Sequence, residues 1–482
     1  MNPLDSAIAF FAPGAGLQRA RARMATASLM NYDAASKGRR TYGWKAPGTS
    51  ADAAAYPARA QVRQLARDMV RNRALAQRAK EVVVGAVVGT GIMPSIDAPK
   101  ATPEQKAQIE AVVRAHLLTP AIDAMGESGL AALQEIVMGT VFTDGEIIVR
   151  RRFRDPRFNP GLKLGFQIEL LEADHLNTTI TANGQNQIFE GVEYGPTGAI
   201  EAYHLFNEHP GSLKLKRAWT STRVSAADII HVRRISRAGQ TRGVSWLAPV
   251  LMTLGEISDY QEAQILKQRM AALMAGVIET EEGGTEPDLQ GIEDLAPGAL
   301  VKIPMGTKIN WTAPPKVDDY GEFMTEAVGM IAIGVGITRE SLSGNLKGVN
   351  YSSGRMGHMV MDRNVQMWQQ NLMIAQFCEG VERWLLEAWP LVRGLPKVPF
   401  ALDWTAPRRP LIDPTKEIPA MIEEIDAGLS SRQRKQRELG YDPDTIRRER
   451  VADLAADAEA LLPAPEMKAR AAQVEFIQGE PQ

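Results

Sequence analysis

Apolar residues recur every three or four positions in the first part of the chain, and this spacing predicts helices. The first helix ends at about Asn72 and places Val62, Leu65, Ala66 and Met69 on one face. A second helix leads into residues 82–88, and glycines then interrupt the pattern before Pro94. Two further helices are predicted at 103–118 and 130–141.

After Asp144 and Gly145 the pattern changes to short apolar runs that are typical of strands. The predicted strands are residues 147–150, 164–171, 189–194, 200–206 and 228–232. The sequence GPTG at 195–198 predicts a hairpin turn between two of them. This part of the chain is therefore expected to be a mixed α+β region.

Helical spacing returns at 245–278, where Leu247, Leu254 and Ile257 share a face. An acidic, glycine-rich stretch with almost no apolar residues follows at 279–294. Two short strands are then predicted at 300–303 and 308–311, and helical spacing resumes from Phe323 to Ile337. The pattern indicates a helix, a small β insert and a returning helix.

Residues 338–350 contain two glycines and few apolar residues, which is the composition of a loop. The proline-free stretch 351–389 predicts one long helix of roughly 58 Å, at ~1.5 Å per residue. A strand at 398–404 and amphipathic helices at 418–427 and 430–439 complete the folded chain. We expect the first 58 residues to be an arm that is partly disordered and residues 466–482 to be a flexible tail.

Length and composition indicate a folded protein with more than one structural region. The chain has 482 residues, of which 44% are hydrophobic and 23% are charged, so the collagenous and wholly disordered classes are excluded. The longest apolar run, 82–93, is too short to cross a bilayer, and the N-terminus is a poor secretory signal, so synthesis in a cytoplasm is expected. Cys378 is the single cysteine, which excludes an intrachain disulfide and predicts a buried thiol.

The net charge of -2 conceals a separation of charge along the chain. Residues 1–80 carry 14 Lys and Arg against 4 Asp and Glu, whereas residues 277–330 carry 11 acidic residues against 3 lysines. Four arginines on the first helix follow one another at intervals of four residues: Arg59, Arg63, Arg67 and Arg71. They form either an ordinary solvated surface or a basic outer face that contacts a polyanion, and the sequence favours neither.

The motifs give no support to enzymatic chemistry, and we expect no catalytic residue, cofactor or metal. The glycines of the GAVVGTG segment at 85–91 lack the spacing of a dinucleotide loop, and no phosphate-binding loop motif occurs. None of the six histidines has the spacing of a zinc pair. Ser245 lacks the glycine of a nucleophile elbow. A hydrolase that uses His231 or His175 as its base stays an alternative.

Five segments in the same order resemble the lambda-like family of phage portal proteins over about residues 60 to 405. The most specific is GQTRGVSWLAPVL at 239–251, which follows DIIHV at 228–232. The supporting segments are RN at 71–72 ahead of VGTGI at 88–92, GVEY at 191–194 with AYHL at 202–205, and IAIGVGI at 331–337 followed by YSSGR at 351–355.

The resemblance implies a mostly helical α+β portal fold that assembles as a ring, usually a dodecamer, around a central channel. It divides the chain into a wing, a stem, a clip and a crown. The implied regions are the arm at 1–58, the wing at 59–245, the stem helices at 246–278 and 319–337, the clip at 279–318, the tunnel loop at 338–350, a long helix with a return strand at 351–405, the crown at 406–465 and the tail at 466–482.

The resemblance also implies the function and the partners. The ring would stand at one capsid vertex of a virion, where double-stranded DNA enters and leaves without sequence-specific recognition. The partners would be the terminase large subunit, the head–tail adaptor, and the major capsid and scaffolding proteins, with no membrane. A DNA-binding assembly factor that uses the arginine-rich start of the chain is a further alternative.

Two sets of residues are predicted to face DNA in such a channel. Part of the excess acid at 277–330 would line the bore and repel phosphates, with Glu279, Glu281 and Glu282 as candidates, although a solvated acidic loop explains them as well.

In the tunnel loop, Lys347 and the amides of Asn345 and Asn350 would touch phosphates and steady packaged DNA.

Overall fold

The computed structural model describes residues 12–15, 17–19, 21–22, 39, 42–43, 48–155, 157–159, 161–213, 220–273, 277–280, 307–310, 320–408, 413–441 and 443–459. The chain separates into two compact units, Met1–Ala54 and Ala55–Gln482. The first unit includes most of a short helix, Ala51–Ala55. All that follows concerns the second unit.

The described part of the second unit contains twelve α-helices. They are α1 (Arg59–Asn72), α2 (Ala74–Val87), α3 (Pro103–Leu117), α4 (Leu130–Asp144), α5 (Leu251–Leu273), α6 (Tyr320–Val335), α7 (Arg339–Ser343), α8 (Tyr351–Trp368), α9 (Glu379–Ala388), α10 (Pro414–Asp426), α11 (Arg432–Glu438) and α12 (Pro443–Glu459). A π-helix, Gln369–Cys378, joins α8 to α9. Among these helices, none is long and apolar enough to cross a membrane.

The strands of the described residues form four separate sheets, and each strand pair in these sheets is antiparallel. The strands are β1 (Met93–Asp97), β2 (Glu146–Phe153), β3 (Phe166–Leu171), β4 (Ala182–Asn183), β5 (Asn186–Phe189), β6 (Val192–Tyr194), β7 (Ile200–Phe206), β8 (Ser221–Ser225), β9 (Ile229–Arg233), β10 (Val277–Thr280), β11 (Thr307–Asn310) and β12 (Ala401–Thr405). Their orders are β1-β12, β10-β11, β3-β2-β9 and β4-β5-β6-β7-β8. The fold is therefore α+β, as the sequence predicts.

The four predicted N-terminal helices are confirmed, each within a few residues of its expected ends. The buried side of α4 includes Leu133, Val137, Val141 and Phe142, which belong to the main apolar core. This helix ends at Gly145, whose φ of 93° is a left-handed conformation that glycine adopts without strain.

One predicted strand is in fact a hairpin. Residues 189–194 divide into the end of β5 and the whole of β6, which pair with each other across Glu190 and Gly191. Both turn residues have positive φ, 47° and 84°, so the chain reverses its direction where the sequence predicted a single strand. The predicted turn at 195–198 is confirmed, since the amide of Gly195 donates to the carbonyl oxygen of Ala199 at 2.9 Å.

The helix predicted at 245–278 begins later and ends earlier, because its last residues belong to a strand. Val277–Thr280 pairs with Thr307–Asn310, which confirms the strand predicted at 308–311, one residue earlier than expected. The strand predicted at 300–303 lies outside the described residues. The returning helix is confirmed as α6.

The long helix predicted at 351–389 is confirmed as a continuous helical run, but its middle is a π-helix. Within this segment the Gln369 side chain donates to the carbonyl oxygens of Val87 and Pro407, each at 3.0 Å. The Gln376 side chain accepts from the amide of Arg233 at 2.9 Å and so holds strand β9. Cys378 is buried in the same segment, as predicted.

The C-terminal strand is confirmed as β12, and its partner β1 was not predicted because MPSID contains a proline and few apolar residues. Helices α10 and α11 match the two predicted amphipathic helices, while α12 lies in a segment where no helix was predicted.

The core has two parts. The larger part joins α1 to α6, α8 and α9 with one face of β2 and β9. The smaller part lies between the three-stranded and five-stranded sheets and includes Ile148, Val192 and Tyr203.

Candidate functional site

The segment 239–251 is tied to the start of strand β2 by a buried ion pair. Arg242 donates to both carboxylate oxygens of Glu146, at 2.7 and 3.0 Å, and the amide of Gly243 donates to the same carboxylate at 2.8 Å. Both charged side chains are buried. Because an unpaired buried charge is very unfavourable, this contact fixes the segment against the sheet. A Cβ atom on Gly243 would overlap the backbone of Gly145, so only glycine fits there.

His231 completes this buried cluster and is a neutral donor within it. Its Nε2 lies 3.0 Å from Glu146 Oε2. Burial lowers the pKa of His231 to about 4. Burial alone would raise the pKa of Glu146, but the charge of Arg242 and the hydrogen bond of His231 outweigh burial and hold the pKa of Glu146 well below its usual range. A neutral, buried donor fits a structural role and does not favour the hydrolase alternative with His231 as base. His175, half-buried, contacts the ring of His209 at 5.3 Å between centroids.

The second half of the segment enters the helical core. The Trp246 ring packs against Phe142 at 5.7 Å and against Trp368 of α8 at 4.8 Å between centroids. The Arg234 guanidinium stands over the same ring at 4.5 Å. Residues 239–251 therefore connect the sheets to the helices.

The predicted basic outer face is wrong at its first two positions. Arg59 and Arg63 are only 3% and 7% exposed. Arg59 pairs with Glu190, and Arg63 donates to Asp174 at 3.0 Å. Carboxylates from the sheet region line this side of α1, so the helix buries arginines where the periodicity suggested solvent.

The next two arginines differ from each other. Arg67 is partly buried and binds Asp144, Asp174 and Glu172. Burial lowers the pKa of Arg67, but these three carboxylates outweigh burial and raise it overall. Of the four predicted arginines only Arg71 is exposed.

Three side chains beside these arginines have donor atoms close enough together to hold a cation: Glu172, Asp174 and His209 lie within 4.8 Å of one another. The same carboxylates already bind arginines, and the charges of Arg63 and Arg67 outweigh burial and lower the pKa of Asp174. This group is therefore better explained as an ion-pair network than as a metal site.

Of the acidic insert predicted at 279–318, the structure describes only the residues that lie in β10 and β11. Glu279 lies in β10, directly opposite Lys308 of β11 in the register. Glu281 and Glu282 lie outside the described residues.

The loop 338–350 is half helical and half exposed turn. Thr338 caps α7, which occupies the first part of the segment predicted as loop, and Gly344 ends it with a φ of 67°. Asn345 and Lys347 are both exposed, and the Asn345 side-chain oxygen accepts from the Lys347 amide at 3.0 Å. Asn350 caps α8: its side-chain oxygen accepts from the amide of Ser353 at 2.8 Å.

The base of this loop is fixed to the core while its tip is not. Leu342 is buried, and the Arg78 side chain donates to the carbonyl oxygen of Ser341 at 3.3 Å. The Asn364 side chain of α8 donates to the carbonyl oxygen of Gly336 at 3.0 Å. In contrast, Leu346 is 69% exposed. Asn345 and Lys347 thus lie at the exposed tip of a loop whose base is held by contacts with the core.

Several buried carboxylates were missed from the sequence, and two of them lie within strands. They are Glu146 and Glu193, the second of which binds His204 at 2.8 Å and Arg223 at 2.9 Å. Each is the single acidic residue of a short apolar strand, in EIIV and GVEY. A lone acid in such a run is a signal for a buried ion pair, because acidic residues are almost never fully buried unless paired.

Comparison with known proteins gives consistent results. A family model described as "Phage portal protein, lambda family" matches residues 37–369. The chain is 24% identical over 372 residues to a probable portal protein of Halomonas phage phiHAP-1, covering 72% of this chain and 70% of that protein. It is 24% identical over 325 residues to portal protein B of Escherichia phage lambda, covering 58% of this chain and 61% of that protein.

Among solved structures, a chain in the neck of a native gene transfer agent particle, computed with C12 symmetry, is similar with a TM-score of 0.49 and 14% identity. The similarity covers 80% of this chain and 94% of that one.

Proposed function

Because this chain belongs to the lambda family of phage portal proteins, we propose that it assembles as a ring around a channel at one capsid vertex, through which double-stranded DNA is packaged and ejected. The match over residues 37–369 carries this proposal, since it includes helices α5 and α6, the strand pair β10–β11 between them and the loop 338–350 that follows. The same ring would dock the terminase large subunit during packaging and the head–tail adaptor afterwards. It would also contact the capsid and scaffolding proteins during assembly.

The role is structural, and we propose that the chain performs no chemistry of its own. The buried cluster around Glu146 supports this view, because its charged groups are used in joining sheet to helix. The basic residues of α1 are likewise used internally at Arg59 and Arg63, which removes support from the alternative of a DNA-binding arm built on this helix.

Within the ring, α5 and α6 would form the stem, and the insert between them would be the clip. The antiparallel pairing of β10 with β11 supports an insert that folds back on itself between the two helices. Its acidic residues, with Glu279, Glu281 and Glu282 as candidates, would repel phosphates and let DNA slide. The channel would then hold DNA only weakly along this stretch.

The loop 338–350 would be a place where the ring touches DNA attractively. Its support is the exposed tip with Asn345 and Lys347, carried on a base fixed by Leu342 and Asn364. Asn350 is a weaker candidate for DNA contact, because its side-chain oxygen is used in capping α8.

Negative-stain electron microscopy of the purified full chain tests the proposed function. We expect closed rings with a central hole wide enough for duplex DNA. A single monomeric species at all protein and salt concentrations would contradict the proposal. In a separate test, deletion of the gene for this chain should yield capsids without packaged DNA, and supplying the gene again should restore packaging.

A further inference from the structure

Helix α5 carries an exposed stripe that is acidic in its middle and apolar at its ends. Its members are spaced by four, three, four and three residues, so they share one face of the helix. All are exposed: Met252, Glu256, Asp259, Ala263 and Leu266. We call this stripe the acidic face. It is about 21 Å long at ~1.5 Å per residue.

Helix α8 carries a second exposed stripe, made of methionines and arginines. Met356, Met359 and Met367 are 69%, 51% and 50% exposed. Arg355 and Arg363 are exposed on the same side of the helix, together with Val360. We call this stripe the basic methionine face. Its length is similar, about 18 Å by the same rise per residue.

Neither stripe is needed for the core of the subunit. The opposite side of α5 already packs through Leu254 and Ile257, and the opposite side of α8 through Met361, Val365 and Trp368. A row of half-exposed apolar side chains on a helix that has already buried its other side is unusual for a surface in contact with water. Methionines in particular adapt to irregular partner surfaces.

The charges decide what can cover these faces. In the part of the chain that the structure describes, none of Glu256, Asp259, Arg355 and Arg363 has an oppositely charged group within ion-pair distance. Two acidic faces would repel each other, and so would two basic methionine faces. An acidic face and a basic methionine face attract each other and can bury their apolar residues together.

A contact between two different faces has a geometric consequence. It is heterologous, so each copy keeps one free face of each kind after the first contact, and further copies add head to tail until the ring closes. A two-fold dimer that uses only one kind of face would instead bring like charges together. The charge pattern therefore disfavours such a dimer and is compatible with a ring.

We propose that the acidic face of α5 in one copy packs against the basic methionine face of α8 in the next copy of this chain. The proposal rests on the ring proposed above and assigns its subunit contact to these two helices.

Paired charge reversals test the assignment. One variant carries Glu256→Lys with Asp259→Lys, and the other carries Arg355→Glu with Arg363→Glu. Each variant alone has two faces of the same sign, so we expect the ring fraction in sedimentation and negative stain to fall about tenfold or more. Mixed in equal amounts, the two variants again present opposite charges, and we expect alternating rings to form.

A matched control separates this contact from a general effect of surface charge. The control variant carries Arg393→Glu with Lys397→Glu, which are exposed residues outside both faces. It should assemble like the wild type, and circular dichroism should show all variants folded. Rings from either face variant alone, or no recovery on mixing, would overturn the assignment while leaving the ring itself intact. Absence of rings from the wild type would instead contradict the proposed function.

Discussion

At the scale of single residues, the fold depends on charges placed inside the protein. Glu146 is fully buried and receives donors from Arg242, Gly243 and His231. Taking a carboxylate out of water is unfavourable unless its oxygens are paired, so each donor is needed to keep the others in place. Residues 239–251 are thus held in place by contacts within their own subunit.

Replacing Arg242 should destabilise the protein strongly. In Arg242→Met the Glu146 carboxylate loses its charged partner, and the free energy of unfolding should fall by about 3–5 kcal/mol. Chemical denaturation of the unassembled protein, followed by circular dichroism, measures this change. The matched control is Arg71→Met, because Arg71 is exposed on α1. If Arg242→Met and Arg71→Met lower the free energy of unfolding equally, the buried ion pair does not stabilise the fold as proposed.

A double replacement tests the same reasoning from the other side. Glu146→Leu combined with Arg242→Met removes both charges, so no unpaired charge remains in the core. We expect the double variant to be more stable than Arg242→Met alone. If the effects of the two substitutions add, the two side chains do not interact.

The buried histidines should make the fold sensitive to mild acid. Burial lowers the pKa of His116 to about 4 from an ordinary value of 6.5. The unfolded chain therefore binds a proton in this window that the folded chain does not, and stability falls as pH decreases from 6.5 towards 4. At pH 5 this histidine alone would lower the free energy of unfolding by about 2 kcal/mol relative to neutral pH.

The test compares thermal midpoints at pH 7 and pH 5 for the wild type and His116→Leu. The thermal midpoint of the variant should fall less on acidification, because the variant has one group fewer that takes up a proton on unfolding. His231, whose pKa is also lowered to about 4, continues to contribute in the variant. An equal change in the thermal midpoint for wild type and variant would show that the pKa of His116 in the folded protein is close to its ordinary value, as for a ring open to water.

At the scale of elements, the start of α8 depends on one side chain that was predicted for another role. Asn350 and Ser353 form a reciprocal cap at the N-terminus of α8. Asn350→Ala should destabilise this end of the helix by about 1 kcal/mol, whereas Asn350→Asp keeps an acceptor and the cap.

Hydrogen exchange at the first turn of α8 measures the cap. Faster exchange in Asn350→Ala, with protection retained in Asn350→Asp, is the expected result. Because aspartate also repels phosphate, the same pair separates capping from DNA contact: if Asn350 contacts DNA, Asn350→Asp should weaken DNA retention without loosening the helix. Equal exchange in all three proteins would show that the cap does not stabilise this end.

The order of helices and strands could be predicted because periodic apolar spacing is a local signal. The helices α1 to α4, the return of helix at α6 and the run 351–388 all follow from it. The hairpin at Glu190 could not be found this way, because the two strands are short and the first turn residue has a positive φ although it is not a glycine. Nor could the π-helix, which coincides with side-chain bonds from Gln369 and Gln376 to distant backbone.

The orientation of α1 shows the limit of periodicity more directly. Its apolar spacing predicts Leu65 inside, yet Leu65 is 46% exposed while Arg59 is buried. The deciding groups are Glu190 and Asp174, which lie more than a hundred residues further along the chain. A local pattern cannot show a partner that only the tertiary fold brings close.

At the scale of the whole molecule, ring symmetry would multiply every side chain that faces the channel. A single lysine in the loop 338–350 becomes a belt of positive charge around the DNA, and a single glutamate in the acidic insert becomes a negative one. Long-range attraction between DNA and such belts depends on salt, because each phosphate contact releases counterions. The loop tip and the insert would therefore act in opposite directions on the same duplex.

Lys347 offers the sharpest test of this division. It lies at the exposed tip of the loop, away from the fixed base at Leu342, so its replacement should leave assembly unchanged. In Lys347→Glu the belt changes sign and should release packaged DNA more readily, which a nuclease-accessibility assay on filled particles measures at low and moderate salt. In Lys347→Arg the charge is kept, and retention should match the wild type.

The control for a general charge effect is Lys163→Glu, an exposed lysine in the connection between β2 and β3. Because that connection belongs to the region assigned to the wing, its charge should not reach DNA in the channel. Loss of DNA from this variant would point to a nonspecific effect on the particle. Full retention in Lys347→Glu, with rings and packaging intact, would mean that the loop does not touch the duplex. The attraction that steadies the DNA would then have to come from another part of the ring.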